Sequence, residues 1–85
     1  MNKMIIFSIH SKLQMVKRGA LEIEVIETIK TGEEAPAKLG RNAYRKNFQY
    51  NSYWGGKFYH IKQVMPVIIE EAEVITVITV YTFYF

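Results

Sequence analysis

The chain has 85 residues, of which 49% are hydrophobic and 22% are charged, with a formal net charge of +3 and no cysteine. This length fits one domain, residues 1–85, and no stretch reaches the ~20 apolar residues of a membrane span or the apolar core of a secretion signal. We therefore expect a cytoplasmic protein without a membrane partner. The missing thiols exclude disulfides and thiolate metal sites, which agrees with a reducing compartment.

The N-terminal segment predicts a strand followed by a helix. The apolar run Met4–Ser8 indicates the strand, and Ser8 is suited to cap the helix. Apolar residues then recur at i, i+4 and i+7, which predicts a stripe that packs on the rest of the fold while the lysines stay in water. This stripe consists of Ile9, Leu13 and Val16. Gly19 is expected to end the helix.

A second helix is predicted over residues 21–31. Its glutamates lie near the N-terminus, where they are favourable against the helix dipole, and Gly32 is expected to stop it. The predicted apolar stripe consists of Leu21, Val25, Ile26 and Ile29. A polar connector with Pro36 and Gly40 then leads to the second half of the chain.

The second half indicates three strands joined by tight turns. They span residues 41–50, 57–69 and 73–85. Gly55-Gly56 and residues 70–73 mark the turns of an antiparallel meander. The last strand lacks polar alternation, so we expect it to be central with both faces covered, whereas Pro66 requires a bulge or an edge. The predicted fold is α+β in the order β-α-α-β-β-β, with two helices on one face of a small antiparallel sheet.

Positive charge is concentrated in the middle of the chain. Residues 35–69 contain six cations and no acid, and five glutamates precede them between positions 22 and 34. A segment of one sign attracts phosphates or an acidic partner. The alternative is that its cations pair with the glutamates across the fold. The six cations are Lys38, Arg41, Arg45, Lys46, Lys57 and Lys62.

Residues 8–33 resemble the opening of a bacterial and archaeal domain-of-unknown-function family. Its members read His-Ala-x-x-Arg-Met-x-x-Arg-Gly-Ile, followed after four residues by Val. The matching residues are His10, Met15, Arg18, Gly19 and Val25, and the departures are Ser11, Gln14 and Ala20. The family closes on a strand of the type Ile-x-Thr-Val-Tyr, which Thr79, Val80 and Tyr81 resemble.

This family is similar in layout to RelE- and BrnT-type toxins, which are small metal-independent ribonucleases. The resemblance implies that helices cover one sheet face and that the other face meets RNA. It also implies an acidic antitoxin-like protein as a second partner.

Metal-free RNA cleavage needs an acid and a base, together with cations that hold the phosphorane. We predict His60 as the acid or base, with Lys62 and Arg45 as phosphate clamps, and His10 as a further catalytic candidate whose alternative role is packing or capping. In an unbroken strand His60 and Lys62 share one face, and Lys57 and Tyr59 share the other. The predicted binding residues are Lys57, Arg41, Lys46, Tyr53, Trp54, Tyr59, Tyr81 and Arg18.

Two functions are compatible with this pattern. The first is a toxin-like endoribonuclease or RNA-binding domain, in which Tyr53 and Trp54 stack on bases. The second is a non-catalytic binding or assembly module that uses the basic face, or pairs its exposed C-terminal strand with a second copy at a sheet edge. No metal or cofactor is expected, because the two histidines are far apart in sequence and the glycines form no nucleotide-binding pattern.

Overall fold

A computed structural model describes residues 3–85, which form two helices and one five-stranded sheet. The strands are β1 (Met4–Phe7), β2 (Glu33–Ala35), β3 (Asn42–Trp54), β4 (Lys57–Glu70) and β5 (Val74–Tyr84). The helices are α1 (Ile9–Arg18) and α2 (Glu22–Thr31). The α+β class and the order of the helices and long strands are confirmed. Strand β2 is an addition, because it lies where a connector was predicted.

The sheet has the strand order β1-β5-β4-β3-β2. Strands β3, β4 and β5 form the predicted antiparallel meander, and β5 lies between β1 and β4, as expected of a central strand. However, β1 pairs with β5 in parallel, so the sheet is mixed and the prediction of an antiparallel sheet is wrong. Only a hairpin enforces antiparallel pairing, and β1 and β5 are too far apart in sequence to form one.

The helices begin and end where the sequence predicts. The Ser8 side chain accepts a hydrogen bond from the Ser11 amide at 3.0 Å and so caps α1. Gly19 ends α1 in the left-handed conformation, with φ of 76°. At the start of α2 the Glu24 carboxylate accepts a hydrogen bond from the Leu21 amide at 3.0 Å.

Both helices lie on the same side of the sheet, where α1 packs on β5 and α2 packs on β3 and β4. The core between them consists mainly of Met15, Val25, Val64, Ile68, Val77 and Val80. These strand residues alternate with outward-pointing neighbours, so one sheet face is covered by helices and the other is open.

Helix α1 turns a different side to the sheet than its apolar pattern predicts. Ser11 and Met15 are buried, whereas Ile9, Leu13 and Val16 are 82%, 59% and 81% exposed. The predicted packing of this stripe is therefore wrong. Ser11 can occupy the core side because its hydroxyl donates to the Ser8 carbonyl at 2.8 Å, which satisfies the buried polar group.

Pro66 lies in the central strand β4 and not at an edge. The β4–β5 register shifts between Val67 and Ile68, one residue further along, so the expected bulge is adjacent to the proline. This arrangement fits the missing amide hydrogen of proline, which cannot donate to a neighbouring strand.

Candidate functional site

A bulge in β4 changes which predicted residues share a face. The amides of His60 and Ile61 both donate to the Phe85 carbonyl, at 2.8 and 3.1 Å, so the strand carries one extra residue there. Tyr59 and Lys62 consequently lie on the helix side. His60 lies on the open side, where its ring meets Phe58 edge-on. The expectation that His60 and Lys62 line one site is wrong.

Lys62 is a buried structural residue. Its side chain is 5% exposed, and its ammonium group lies 2.8 Å from the Glu24 carboxylate and donates to the Gly19 carbonyl, also at 2.8 Å. These contacts join β4 to the turn between the helices. A phosphate cannot reach a lysine that is enclosed and already neutralised in this way, so the predicted clamp is not available.

Two further predicted cations are also paired with glutamates. Arg45 lies 3.0 Å from the Glu33 carboxylate, and Lys46 lies 3.0 Å from that of Glu27. The remaining cations of the basic segment are spread out, with Lys38 and Arg41 on the exposed connector and Lys57 beside the β3–β4 turn. The basic segment therefore does not fold into one basic face.

The rings near the β3–β4 turn pack around Tyr84. Trp54 stacks on Tyr84 with ring centroids 5.2 Å apart, and the rings of Tyr50 and Tyr59 lie 5.4 and 5.5 Å from it. The Tyr84 hydroxyl donates to the Arg18 carbonyl at 2.6 Å, and burial raises the pKa of Tyr84. This cluster fastens the end of α1 to the sheet, so Trp54 and Tyr59 act in packing.

Sequence reasoning missed Tyr84 and Tyr50 as the centre of this cluster. Strand parity groups Tyr84 with Val80 and Thr82 on the side that faces the helices, and this signal was available. Tyr50 lies beside the register shift between Gln49 and Ser52, where Asn51 adopts a positive φ of 46°. Asparagine takes this conformation more readily than most residues, but one asparagine in a strand does not by itself predict a bulge.

Arg18 reaches around the free edge of β5. Its guanidinium group donates to the Val80 carbonyl at 2.8 Å and lies 4.7 Å from the centre of the Tyr81 ring. Beyond Val77, no strand of residues 3–85 pairs with β5 on this side, and the Ile78 carbonyl accepts from the Ser8 hydroxyl at 3.2 Å. Side chains therefore occupy edge carbonyls that another strand would need for pairing.

The two histidines lie on different elements. His60 is exposed on β4, with its Nδ1 3.1 Å from the Asn51 side-chain oxygen, and His10 is exposed in the first turn of α1. Arg41 follows a turn in the connector, where its amide donates to the Lys38 carbonyl at 3.0 Å.

The sheet face away from the helices, called the open face below, is largely apolar, and its polar members other than Arg45 and Glu33 are mainly Asn47, Gln49, Gln63, Thr76 and Thr79. Side chains alternate between the two faces along each strand, so the strand pairing places the neighbours of the core residues on this face. In residues 3–85, Arg45 is the only lysine or arginine of the strands on this face, and it is paired with Glu33. Its main apolar residues are Met4, Ile6, Tyr53, Phe58, Ile61, Met65, Val67, Ile69, Tyr81 and Phe83.

The aromatic and aliphatic residues of the open face lie at opposite ends. Tyr53, Phe58 and Phe83 lie near the β3–β4 turn, and Met4, Ile6 and Ile69 lie near the start of β1. All six side chains have 37% or more of their surface exposed. The sequence predicts cover on both faces of β5, yet no described element covers this one.

A cavity of about 480 Å³ lies on the helix side, away from every predicted site residue. It is lined mainly by Ile5, Ile29, Tyr44, Ile68 and Ile75, and the charged residues of its lining are Lys3, Lys30 and Glu70. Burial and the nearby Glu70 and Glu34 carboxylates raise the pKa of the Tyr44 hydroxyl. A smaller depression of about 180 Å³ includes Arg45 and Lys46, whose charges are already paired.

Within residues 3–85, no group of three or more His, Cys, Asp or Glu side chains is placed to hold a metal ion. Neither helix of this part of the chain has the length and apolar character needed to cross a membrane. Comparisons with models of protein families, with curated proteins and with solved structures gave no match.

Proposed function

We propose that this protein is a non-catalytic assembly module that packs its open face on the open face of a second copy. One observation carries the proposal: within residues 3–85 nothing covers a broad and largely apolar sheet face, while the cations expected there are paired or lie elsewhere. Exposed apolar areas of this kind mark interaction surfaces.

The dimensions of the face suit a dimer. The 11 residues of β5 extend about 36 Å, the three long strands are about 14 Å wide, and the four residues of β1 add a short fourth strand, so the face covers about 600 Å². A stable interface buries about 800 Å² on each partner. Two such sheets would pack face to face at about 10 Å, as in a β-sandwich.

The charge on the face favours a second copy over an acidic partner. Its single ion pair, Arg45 with Glu33, has no net charge, and Arg18 lies at the β5 border against the Tyr81 ring, so two identical faces bring little like charge together. A nucleic acid or an acidic protein would instead require unpaired cations. Pairing at the edge of β5 is less suitable, because Ser8 and Arg18 already bond the carbonyls of Ile78 and Val80.

Sedimentation equilibrium of the wild-type chain tests this proposal. We expect a concentration-dependent species with twice the mass of one chain. Replacing Ile6 and Phe83 with lysine puts repelling charges on the face and should leave a folded monomer. In the matched control, lysine replaces Leu13 and Val16, which are also apolar and exposed but lie on α1. This variant should still dimerise. A wild-type monomer at about 100 μM, or a dimer that survives the Ile6 and Phe83 changes, would contradict the proposal.

RNA binding by a toxin-like domain is the second candidate. It is supported by the exposed rings of Tyr53, Phe58 and His60 at one end of the open face, with Lys57 in the adjacent turn. Rings on a sheet surface stack on bases. The resemblance of residues 8–33 and the helices on one sheet face fit the same layout.

Incubation with labelled single-stranded RNA in excess chelator separates the two candidates. A ribonuclease would leave 2′,3′-cyclic phosphate ends, and His60→Ala would abolish the cleavage without unfolding the protein because His60 is exposed. A binding domain would retain RNA with an affinity that falls steeply with salt and with Tyr53→Ala. Absence of both activities would rule out the RNA candidate, and the sedimentation experiment decides on self-assembly.

A further inference from the structure

The exposed stripe of α1 is a second apolar surface. Ile9, Leu13 and Val16 lie within about 60° of one another around the helix, because each residue advances by about 100°. Ser11 and Met15, the buried side, lie opposite. Single exposed apolar residues are ordinary, but three in helical register on one short helix form a continuous surface.

The stripe has a positive border on both sides. At the same 100° per residue, Lys12 lies on one side of the stripe and Lys17 lies on the other. Both are exposed, and neither forms an ion pair with any residue of 3–85. Helix α1 itself contains no acidic residue. An apolar stripe between two lysines is complementary to an apolar stripe between two carboxylates.

We infer that α1 binds an amphipathic helix of a partner protein, whose aliphatic residues are bordered by Asp or Glu. Spacing at i, i+4 and i+7 is the row that packs between the side chains of a second helix. A second copy is unsuitable, because its own lysines would repel those of α1. This surface is separate from the open face, so the inference does not depend on the proposed function.

The test uses the full chain and two synthetic peptides of about 18 residues, each helical with leucines along one side. One peptide has glutamates beside the leucines, and its twin has lysines. We expect the glutamate peptide to bind one to one, measured by fluorescence anisotropy. The chemical shifts of Leu13 and Val16 should change on binding, and those of Phe83 should not.

Charge reversal on α1 gives the sharpest result. Changing Lys12 and Lys17 to glutamate should lower the affinity for the glutamate peptide by about tenfold or more. The same change should create binding of the lysine peptide. Leu13→Ser should lower the affinity for the glutamate peptide by a comparable factor, because it removes an apolar side chain from the contact. The matched control Leu39→Ser removes an exposed leucine of the connector, outside both surfaces, and should change neither affinity.

Several results would overturn the inference. They are no binding of the glutamate peptide at about 1 mM, equal binding of both peptides, or shift changes confined to the open face. Tighter binding to vesicles of equal parts phosphatidylglycerol and phosphatidylcholine than to the peptide would assign the stripe to a membrane surface instead.

Discussion

The ammonium group of Lys62 lies 2.8 Å from the Glu24 carboxylate, and Lys62 is almost completely enclosed. Removing one member of a buried pair leaves the other charge uncompensated. We therefore expect Lys62→Ala to lower the free energy of unfolding by about 2 to 4 kcal/mol, measured by urea denaturation. A phosphate-binding lysine on a surface would leave the stability nearly unchanged.

Two comparisons separate this role from general effects of mutation. Lys57→Ala removes an exposed lysine and should change the free energy of unfolding by no more than about 0.5 kcal/mol. The double variant Lys62→Met with Glu24→Gln has no unpaired charge at this site. Its free energy of unfolding should therefore fall by less than that of Lys62→Ala. If Lys62→Ala and Lys57→Ala lowered the free energy of unfolding equally, the Lys62–Glu24 ion pair would not contribute to stability.

Gly19 lies against the aromatic cluster. A Cβ atom there would lie 2.6 Å from the Tyr84 hydroxyl oxygen and 2.7 Å from the Trp54 ring, and φ is +76°. We expect Gly19→Ala to lower the free energy of unfolding by about 3 kcal/mol or more, because the packed rings cannot move freely. Gly55→Ala is the control, since it has a similar φ of +61° but open space around it. Gly55→Ala should lower the free energy of unfolding by only about 1 to 2 kcal/mol. An equal loss at both positions would show that contact with the packed rings does not explain the effect of Gly19→Ala.

Met15 and Leu13 lie on opposite sides of α1. Met15 is buried in the core, so Met15→Ala should lower the free energy of unfolding by about 2 to 5 kcal/mol. Leu13 is exposed, so Leu13→Ala should change it by about 0.5 kcal/mol or less. The periodicity of the sequence predicts the opposite order, so thermal denaturation of the two variants decides which side of α1 faces the sheet.

The Lys46–Glu27 pair predicts a dependence of stability on acid. A hydrogen bond from Lys46, and a second one from Thr31, lower the pKa of Glu27 from its ordinary 4.5. A depressed folded-state pKa adds stability that is present above pH 4.5 and is lost as the pH falls through the folded value. The wild type should therefore melt slightly above Lys46→Met near neutral pH, and this difference should disappear in acid.

The effect is small because the Glu27 side chain is exposed to solvent, and salt should reduce it further. Lys38→Met provides the control, because Lys38 has no ion pair within residues 3–85 and its removal should give no acid-dependent difference. A melting difference between wild type and Lys46→Met that persists in strong acid would point to lost packing of the lysine stem.

Local residues made most of the secondary structure predictable. Ser8, Gly19 and Gly55-Gly56 act within a few residues of themselves, by capping a helix or adopting positive φ, so their effects can be predicted without the fold. The same holds for the β-branched run of β5. The short edge strand β2 escaped prediction because its residues have little strand propensity and pair only because β3 lies beside them.

The candidate site was less predictable, because it depends on how separate elements meet. Alternation placed His60 with Lys62, but a bulge that depends on the Phe85 carbonyl separated them. The charge of residues 35–69 indicated a basic surface, but Glu24, Glu27 and Glu33 neutralise three of its cations across the fold. Such pairing depends on distances between elements that one-dimensional spacing does not contain.

By itself, the sequence determined the α+β class, the limits of the helices and of β4 and β5, and the meander, since capping, turn formation and strand propensity act over a few neighbouring residues. Strand β3 continues to Trp54, beyond its predicted end at residue 50. The tertiary structure alone decided that Lys62 is a core residue, that the stripe of Ile9, Leu13 and Val16 faces solvent, and that the open face is largely apolar. Exposure is a property of the packed whole, because the side of an element that is buried depends on what the rest of the chain places against it.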